Sequence, residues 1–249
     1  SAAGRLMQRE LGALDQALNN PAHPVAAIVG GNKISTKLGV LENLIEKVDH
    51  LIVGGAMANT FLYANGVTVG SSLCEKNMRD TARSIIEKAD INGCILHLPV
   101  DAVVASELSE GVGSDIVCVD KIPVEKMILD VGPQTVENIR VLISTCKTLV
   151  WNGPLGAFEF KPFDAGTNSA ARTAAEYVGA GKLIVVAGGG DTMSAMANAG
   201  VFKNFSGDAN KYLNTLRKVG VDDQTAYQYL RNNGVGADGI LDRSLSKDF

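Results

Sequence analysis

Short apolar runs alternate with longer amphipathic stretches along most of this chain. Val25-Ala26-Ala27-Ile28-Val29, Leu51-Ile52-Val53 and Leu183-Ile184-Val185-Val186-Ala187 contain no polar residue. Runs of this length and β-branched content predict strands buried on both faces, as in a parallel sheet. Residues 148–151 and 94–98 predict two more strands, and Pro99 ends the latter. Between the strands, apolar residues recur every three or four positions, the period of a helix with one buried face. Met7, Leu11, Leu14 and Leu18 predict a helix over residues 1–19, stopped by Pro21 and Pro24. Ile34, Leu38, Leu41, Leu44, Ile45 and Val48 predict the next helix. Others are expected over residues 57–63, 75–89, 134–144, 165–177 and 193–199. The pattern over residues 102–120 is mixed and includes one short strand at 115–119. Alternating strands and helices predict an α/β protein whose parallel sheet carries helices on both faces.

Glycine turns close three of these strands. Val29 runs into Gly30-Gly31-Asn32-Lys33, Val53 into Gly54-Gly55-Ala56-Met57, and Ala187 into Gly188-Gly189-Gly190-Asp191-Thr192. A fourth strand runs into Asn152-Gly153-Pro154-Leu155-Gly156. Glycine lets a ligand approach the backbone, and the first N–H groups of the following helix point at an anion. Open α/β sheets bind ligands at the carboxyl ends of their strands, where all four turns fall. No Walker lysine is present, so this is not a P-loop.

Beyond residue 201 the pattern changes. Strand-like runs stop, and Asn, Asp, Gln, Tyr and Gly become frequent. Helices are expected over residues 208–219 and 222–232, with Asp208 and Asp222 suited to their first turns. The expected organisation is one α/β unit over residues 1–201 and a small helical appendage over residues 202–249.

Composition narrows the function. A chain of 249 residues, 46% hydrophobic, can bury one sizeable core. Its net charge of −4 argues against a nucleic-acid surface, which needs a basic patch. No apolar run reaches the length of a membrane span. Cys74, Cys94, Cys118 and Cys146 form no Cys-x-x-Cys pair. They point to reduced thiols in an intracellular compartment, the cytoplasm by default or an organelle. No secretory leader is evident, and an N-terminal Ser implies a start further upstream.

The candidate chemistry gathers at the turns. Lys33 and Lys37 lie four apart after a glycine turn, on one side of an expected helix start. Two ammonium groups beside backbone N–H groups suit a polyphosphate; the alternative is a solvated surface pair. Asp191 follows three glycines, where it either caps a helix or helps to hold Mg²⁺. Glu159 is a candidate acceptor for ribose hydroxyls or a plain surface acid. Trp151 and His97 read as core residues. No Ser-His-Asp or Cys-His arrangement is present. Phosphoryl or nucleotide chemistry remains, in which positioning and charge stabilisation do most of the work.

Four segments together resemble phosphoglycerate kinase: residues 30–37 (Gly-Gly-Asn-Lys-Ile-Ser-Thr-Lys), 53–61, 151–159 (Trp-Asn-Gly-Pro-Leu-Gly-Ala-Phe-Glu) and 188–192. They occur in the family's order and at compatible spacing. Residues 2–7 look like the helix that links that family's two domains. The resemblance runs from about residue 1 to 201 and covers only the carboxy-terminal, nucleotide-binding half, a Rossmann-like domain. It implies that Gly30, Gly31, Gly54, Gly55 and Ala56 border an adenine. It implies that Asn152, Pro154 and Glu159 line the ribose side. Lys33 and Lys37 would meet phosphates, with Lys37 nearest the transferred group. Gly189, Gly190, Asp191 and Thr192 would hold phosphate and Mg²⁺, the ligand being Mg-ADP or Mg-ATP.

Three departures accompany the resemblance. Ala56 stands where the family has a third glycine. The half that holds 3-phosphoglycerate has no counterpart here. No segment after Val201 resembles the family's last Gly-Gly-Gly turn, whose N–H groups serve the phosphoryl group in flight. The expected function is therefore the nucleotide-binding half of such a kinase, inactive alone. The alternatives are an inactive kinase-derived structural or nucleotide-sensing subunit whose tail meets a protein partner, and an engineered fragment or fusion.

Overall fold

The computed structural model of the chain describes residues 21–201. Expectations for residues 1–19 and for 202–249 lie outside the described residues. Within them, strands and helices alternate as the hydrophobic pattern predicts. The elements in chain order are β1 (Val25–Val29), α1 (Leu38–Ile45), β2 (His50–Val53), α2 (Gly55–Ala64), α3 (Arg79–Ile91) and β3 (Ile95–His97). There follow β4 (Asp101–Ala105), β5 (Ser114–Cys118), β6 (Met127–Val131), α4 (Pro133–Thr145) and β7 (Thr148–Asn152). The last three are α5 (Ala165–Gly179), β8 (Ile184–Ala187) and α6 (Gly190–Asn198).

Five strands form a parallel sheet in the order β3-β2-β1-β7-β8. Successive residues of a strand face opposite sides, so each strand feeds two cores. Val25, Ala27, Val29, Leu51 and Val53 pack with Leu41, Leu44, Phe61 and Ile85 of α1–α3. Ala26, Ile28, Ile52, Leu149 and Trp151 pack with Ile139, Ile143, Ala171, Ala174 and Met196 of α4–α6. This is the predicted α/β arrangement, with helices on both faces.

Three readings need amendment. The strand at residues 183–187 was expected to be buried, but β8 lies at the sheet edge among the described residues, and Ile184 is 48% exposed. β-Branched content alone does not separate an edge from a centre. The helix expected from Ile34 instead starts as a 3₁₀ turn over Ile34–Thr36, and α1 begins at Leu38. Residues 101–131 form a separate antiparallel sheet in the order β5-β4-β6. The strand at 115–119 is present as β5, but β4 and β6 were not foreseen. β4 is tied to α4 by Asp101, whose carboxylate accepts hydrogen bonds from the Gln134 and Thr135 N–H groups at 2.9 and 2.8 Å. Those N–H groups are among the unpaired donors of the α4 start, so a distant side chain caps that helix.

No helix among the described residues is long and apolar enough to cross a membrane. All four cysteines are free thiols.

Candidate functional site

The strand order decides where the glycine turns meet. β2, β1, β7 and β8 are consecutive neighbours, and all run the same way. The turns after Val53, Val29, Asn152 and Ala187 therefore stand in a row along one sheet edge. Backbone hydrogen bonds stitch them together. Gly54 N–H donates to Val29 O, Gly30 N–H to Asn152 O, Gly55 N–H to Leu155 O and Gly188 N–H to Trp151 O, all within 3.0 Å.

The glycines divide into two groups. A side chain on Gly30 would overlap the Pro154 carbonyl, and one on Gly153 would overlap the Gly30 carbonyl. One on Gly54 would lie 2.6 Å from Leu155 Cδ2. Gly55, at φ +67°, lies against the Gly31 backbone. These residues are glycine because turn packs on turn. Gly31, Gly188 and Gly190 differ. A Cβ there would meet only Lys37 Cε at 3.8 Å, only Asn152 Nδ2 at 3.9 Å, and nothing within 4 Å, respectively. Their open faces leave room for a ligand.

Lys37 and Asn152 meet beneath that opening. Asn152 ends β7, is fully buried, and accepts a hydrogen bond from Lys37 Nζ through its Oδ1. Its Nδ2 is buried with no hydrogen-bond partner. A buried amide donor left unpaired costs about 1–3 kcal/mol. Lys33 behaves differently from the expectation of two lysines on one helical side. Its backbone is extended and Lys37 is not helical either, so the two are not set by helical spacing. Lys33 is exposed beside Glu75, which accepts hydrogen bonds from the Ser35 hydroxyl and the Ser35 N–H at 2.5 and 3.1 Å. Burial works to raise the Glu75 carboxyl, but the Ser35 bonds and the charge of Lys33 bring it below its ordinary value.

At the β8 end, Gly189 caps α6 with φ +91°, and Gly190, Asp191 and Thr192 form its first turn. Their N–H groups lack helical partners by geometry. Asp191 is exposed and sits in the first turn, two residues past the Gly189 cap, rather than at the cap. Thr192 is buried. Its hydroxyl donates to Gly188 O and accepts from Gly153 N–H, both at 2.7 Å. That side chain locks the β7 turn to the β8 turn and leaves only its N–H for a ligand. Pro154 is half-buried in the β7 turn, and Glu159 is exposed beyond it. Ala56 lies half-buried in the first turn of α2. Trp151 is fully buried and donates through Nε1 to Gly153 O at 2.7 Å, a core residue as its sequence context suggests. His97 is half-buried, with Nε2 at 3.2 Å from His50 Nδ1.

No cluster of three His, Cys, Asp or Glu side chains suited to a metal occurs among the described residues. The donor set at the α6 start is one exposed carboxylate. That fits Mg²⁺ carried by phosphate oxygens, which takes one or two carboxylates, and does not fit a dedicated protein cage.

Sequence reasoning missed Asp130. It lies in β6, is 2% exposed, and faces the loop after β7. Burial pushes its carboxyl up to about 7, against hydrogen bonds from the Gly166 and Val131 N–H groups, while nearby Asp164 adds to the rise. The available signal was a lone acid inside the apolar run Met127-Ile128-Leu129-Asp130-Val131.

Comparison with known proteins gives one consistent result. The family model for phosphoglycerate kinase matches residues 1–214, past the boundary expected at Val201. Phosphoglycerate kinase of Jannaschia sp. (strain CCS1) is 58% identical over 206 residues, covering 83% of this chain and 52% of that protein. That of Agrobacterium fabrum (strain C58 / ATCC 33970) is 54% identical over 204 residues, covering 82% and 51%. The solved phosphoglycerate kinase of Coxiella burnetii superposes with a TM-score of 0.74 at 43% identity, over 80% of this chain and 50% of that one. The structure from Pyrococcus horikoshii OT3, at 23% identity and a TM-score of 0.62, shows likeness of fold. The chain spans about half the length of the curated relatives it matches. With the parallel sheet and its row of glycine turns in place, the chain belongs to the phosphoglycerate kinase family.

Proposed function

We propose that this chain is the nucleotide-binding half of a phosphoglycerate kinase, which in the whole protein transfers a phosphoryl group reversibly between 1,3-bisphosphoglycerate and ADP. The observation that carries the reading is the Lys37–Asn152 pair. It sets an ammonium group and an unpartnered buried amide below the open faces of Gly31 and Gly188. An oxygen on the ribose side of the nucleotide would satisfy that amide, and a phosphate would meet the ammonium. Gly189, Gly190 and the Thr192 N–H hold a second phosphate at the α6 start, where the helix dipole favours negative charge. Asp191 orients Mg²⁺, which neutralises phosphate charge when bound with the nucleotide. Lys33 meets a phosphate from the rim, and Lys37 lies nearest the transferred group. Gly30, Gly31, Gly54, Gly55 and Ala56 border the adenine, and Asn152, Pro154 and Glu159 line the ribose side. On this reading the nucleotide-binding unit is assigned to residues 1–201, and a surface for a protein partner to residues 202–249.

Calorimetric titration with Mg-ADP tests the reading. Micromolar binding that weakens about 10- to 100-fold in Lys37→Ala is expected, the cost of one charge-assisted contact. Equal affinity of both proteins contradicts it. Turnover of phosphoglycerate by the 249-residue chain alone in a coupled assay, at a rate normal for the family, contradicts the half-enzyme part of the proposal.

A further inference from the structure

Asp130 is the buried acid that nothing in the nucleotide reading uses. Its surroundings connect three parts of the molecule. It belongs to β6 of the small antiparallel sheet. Its Oδ2 accepts from Gly166 N–H in the first turn of α5, and its Oδ1 accepts from its neighbour Val131 N–H, both at 2.8 Å. A Cβ on Gly156 would lie 2.6 Å from Asp130 Cγ, and one on Gly166 would lie 2.6 Å from Oδ1. Gly156 leaves room for this carboxyl group, and Gly166 for it and for Val131 Cγ2, 2.4 Å from a would-be Cβ. The next residue of the loop, Ala157, donates its N–H to Leu129 O at 2.8 Å. Asp130 therefore sits where the small sheet meets the loop that follows Asn152 and carries Pro154 and Glu159.

We propose that Asp130 is a positioning residue for that loop: its carboxyl group holds the start of α5 through Gly166 N–H and packs against Gly156, and thereby sets how residues 153–159 meet a nucleotide. The inference rests on the nucleotide reading for its consequence, and on the geometry alone for the clamp.

The chemistry of the clamp depends on charge. An ionised Asp130 accepts from Gly166 N–H as a charge-assisted bond and faces the positive end of α5. A protonated Asp130 keeps only neutral bonds there. The charged group facing it is Asp164, just before α5, which opposes ionisation. Burial acts the same way, and the carboxyl titrates at about 7. These two effects outweigh the Gly166 and Val131 bonds, so the fold favours the protonated carboxyl and the clamp loosens as pH rises through neutrality. Asp130→Asn keeps the shape and removes the charge, and its amide nitrogen opposes a backbone N–H.

Two measurements on the 249-residue chain test this between pH 6 and 8. The first is amide hydrogen exchange of residues 153–159 and Gly166 without ligand, corrected for intrinsic rate. Protection in the wild type should fall about tenfold as pH rises across that range, while Asp130→Asn stays flat. Identical, pH-independent protection in both proteins overturns the proposal. The second is Mg-ADP affinity over the same range. The wild type should weaken several-fold as pH rises and Asp130→Asn should not. Nucleotide bound by both with the same pH profile also overturns the proposal. A wild type whose loop follows pH but which binds no Mg-ADP supports the clamp and contradicts the nucleotide reading instead.

Discussion

Single residues at the sheet edge have separable tasks, and the glycines show it most directly. Gly30 is fixed by the Pro154 carbonyl, whereas Gly190 has nothing within 4 Å of its would-be side chain. Gly30→Ala should destabilise the fold by about 3 kcal/mol or more, since backbone must move to admit the methyl group. Gly190→Ala should leave stability within about 0.5 kcal/mol and weaken Mg-ADP binding. Denaturant unfolding and calorimetry read the two effects apart. Thr192 belongs with Gly30 rather than Gly190. Thr192→Val leaves Gly153 N–H and Gly188 O without their side-chain partner and should cost about 2–3 kcal/mol, which Thr192→Ser should restore. The sequence marked all of these positions but could not sort them. Gly-Gly pairs look alike in a sequence, and only the neighbouring turn shows which one is packed against.

At the scale of elements, the parallel sheet was legible and the small sheet was not. β1 announces itself as an unbroken apolar run, β2 as Leu51-Ile52-Val53 and β7 as Leu149-Val150-Trp151. β5 reads as only one short strand, and its residues are mostly exposed. β6 is half-buried and interrupted by Asp130. Their burial is partial, so their apolar pattern is too weak to separate from loop. Asp130 also gives this part of the molecule a pH signature. Its carboxyl is ordinary in the unfolded chain and titrates at about 7 when folded. Between those values the native state holds a proton that the unfolded state has released. Stability from this group is therefore fully present below about 3.8 and is lost as pH rises through about 7. The difference is on the order of 4 kcal/mol. His97 works in the other direction. Burial, and then the neighbouring His50, lower its value, so its contribution is lost as pH falls below the ordinary histidine range near 6.5. Asp130→Asn should flatten the fall in stability toward neutral pH and leave the His97-dependent loss in acid. Thermal melts across pH 4 to 8 check both signs. An unchanged slope in Asp130→Asn would contradict the assignment.

The whole molecule is organised by one topological fact. Four strands that are scattered from residue 25 to residue 187 become neighbours, and their carboxyl ends make a single edge. The turns themselves were visible in the sequence, but not which lay beside which. Strand order decided that Lys37 reaches Asn152, 115 positions away. The same order left β8 at the margin of the described sheet, where a continuous apolar run had suggested the centre. The central claim is that this edge, and no other surface, receives a nucleotide with its phosphates over the open glycines. The direct measurement is a map of backbone amide chemical shifts on the isotope-labelled chain as Mg-ADP is added. The account predicts saturable shifts concentrated at Gly31, Lys37, Asn152 and residues 188–192, with small changes around the cavity bounded by His97, Pro99, Thr135 and Leu142. No shift at millimolar Mg-ADP, or shifts centred on that cavity, would contradict it.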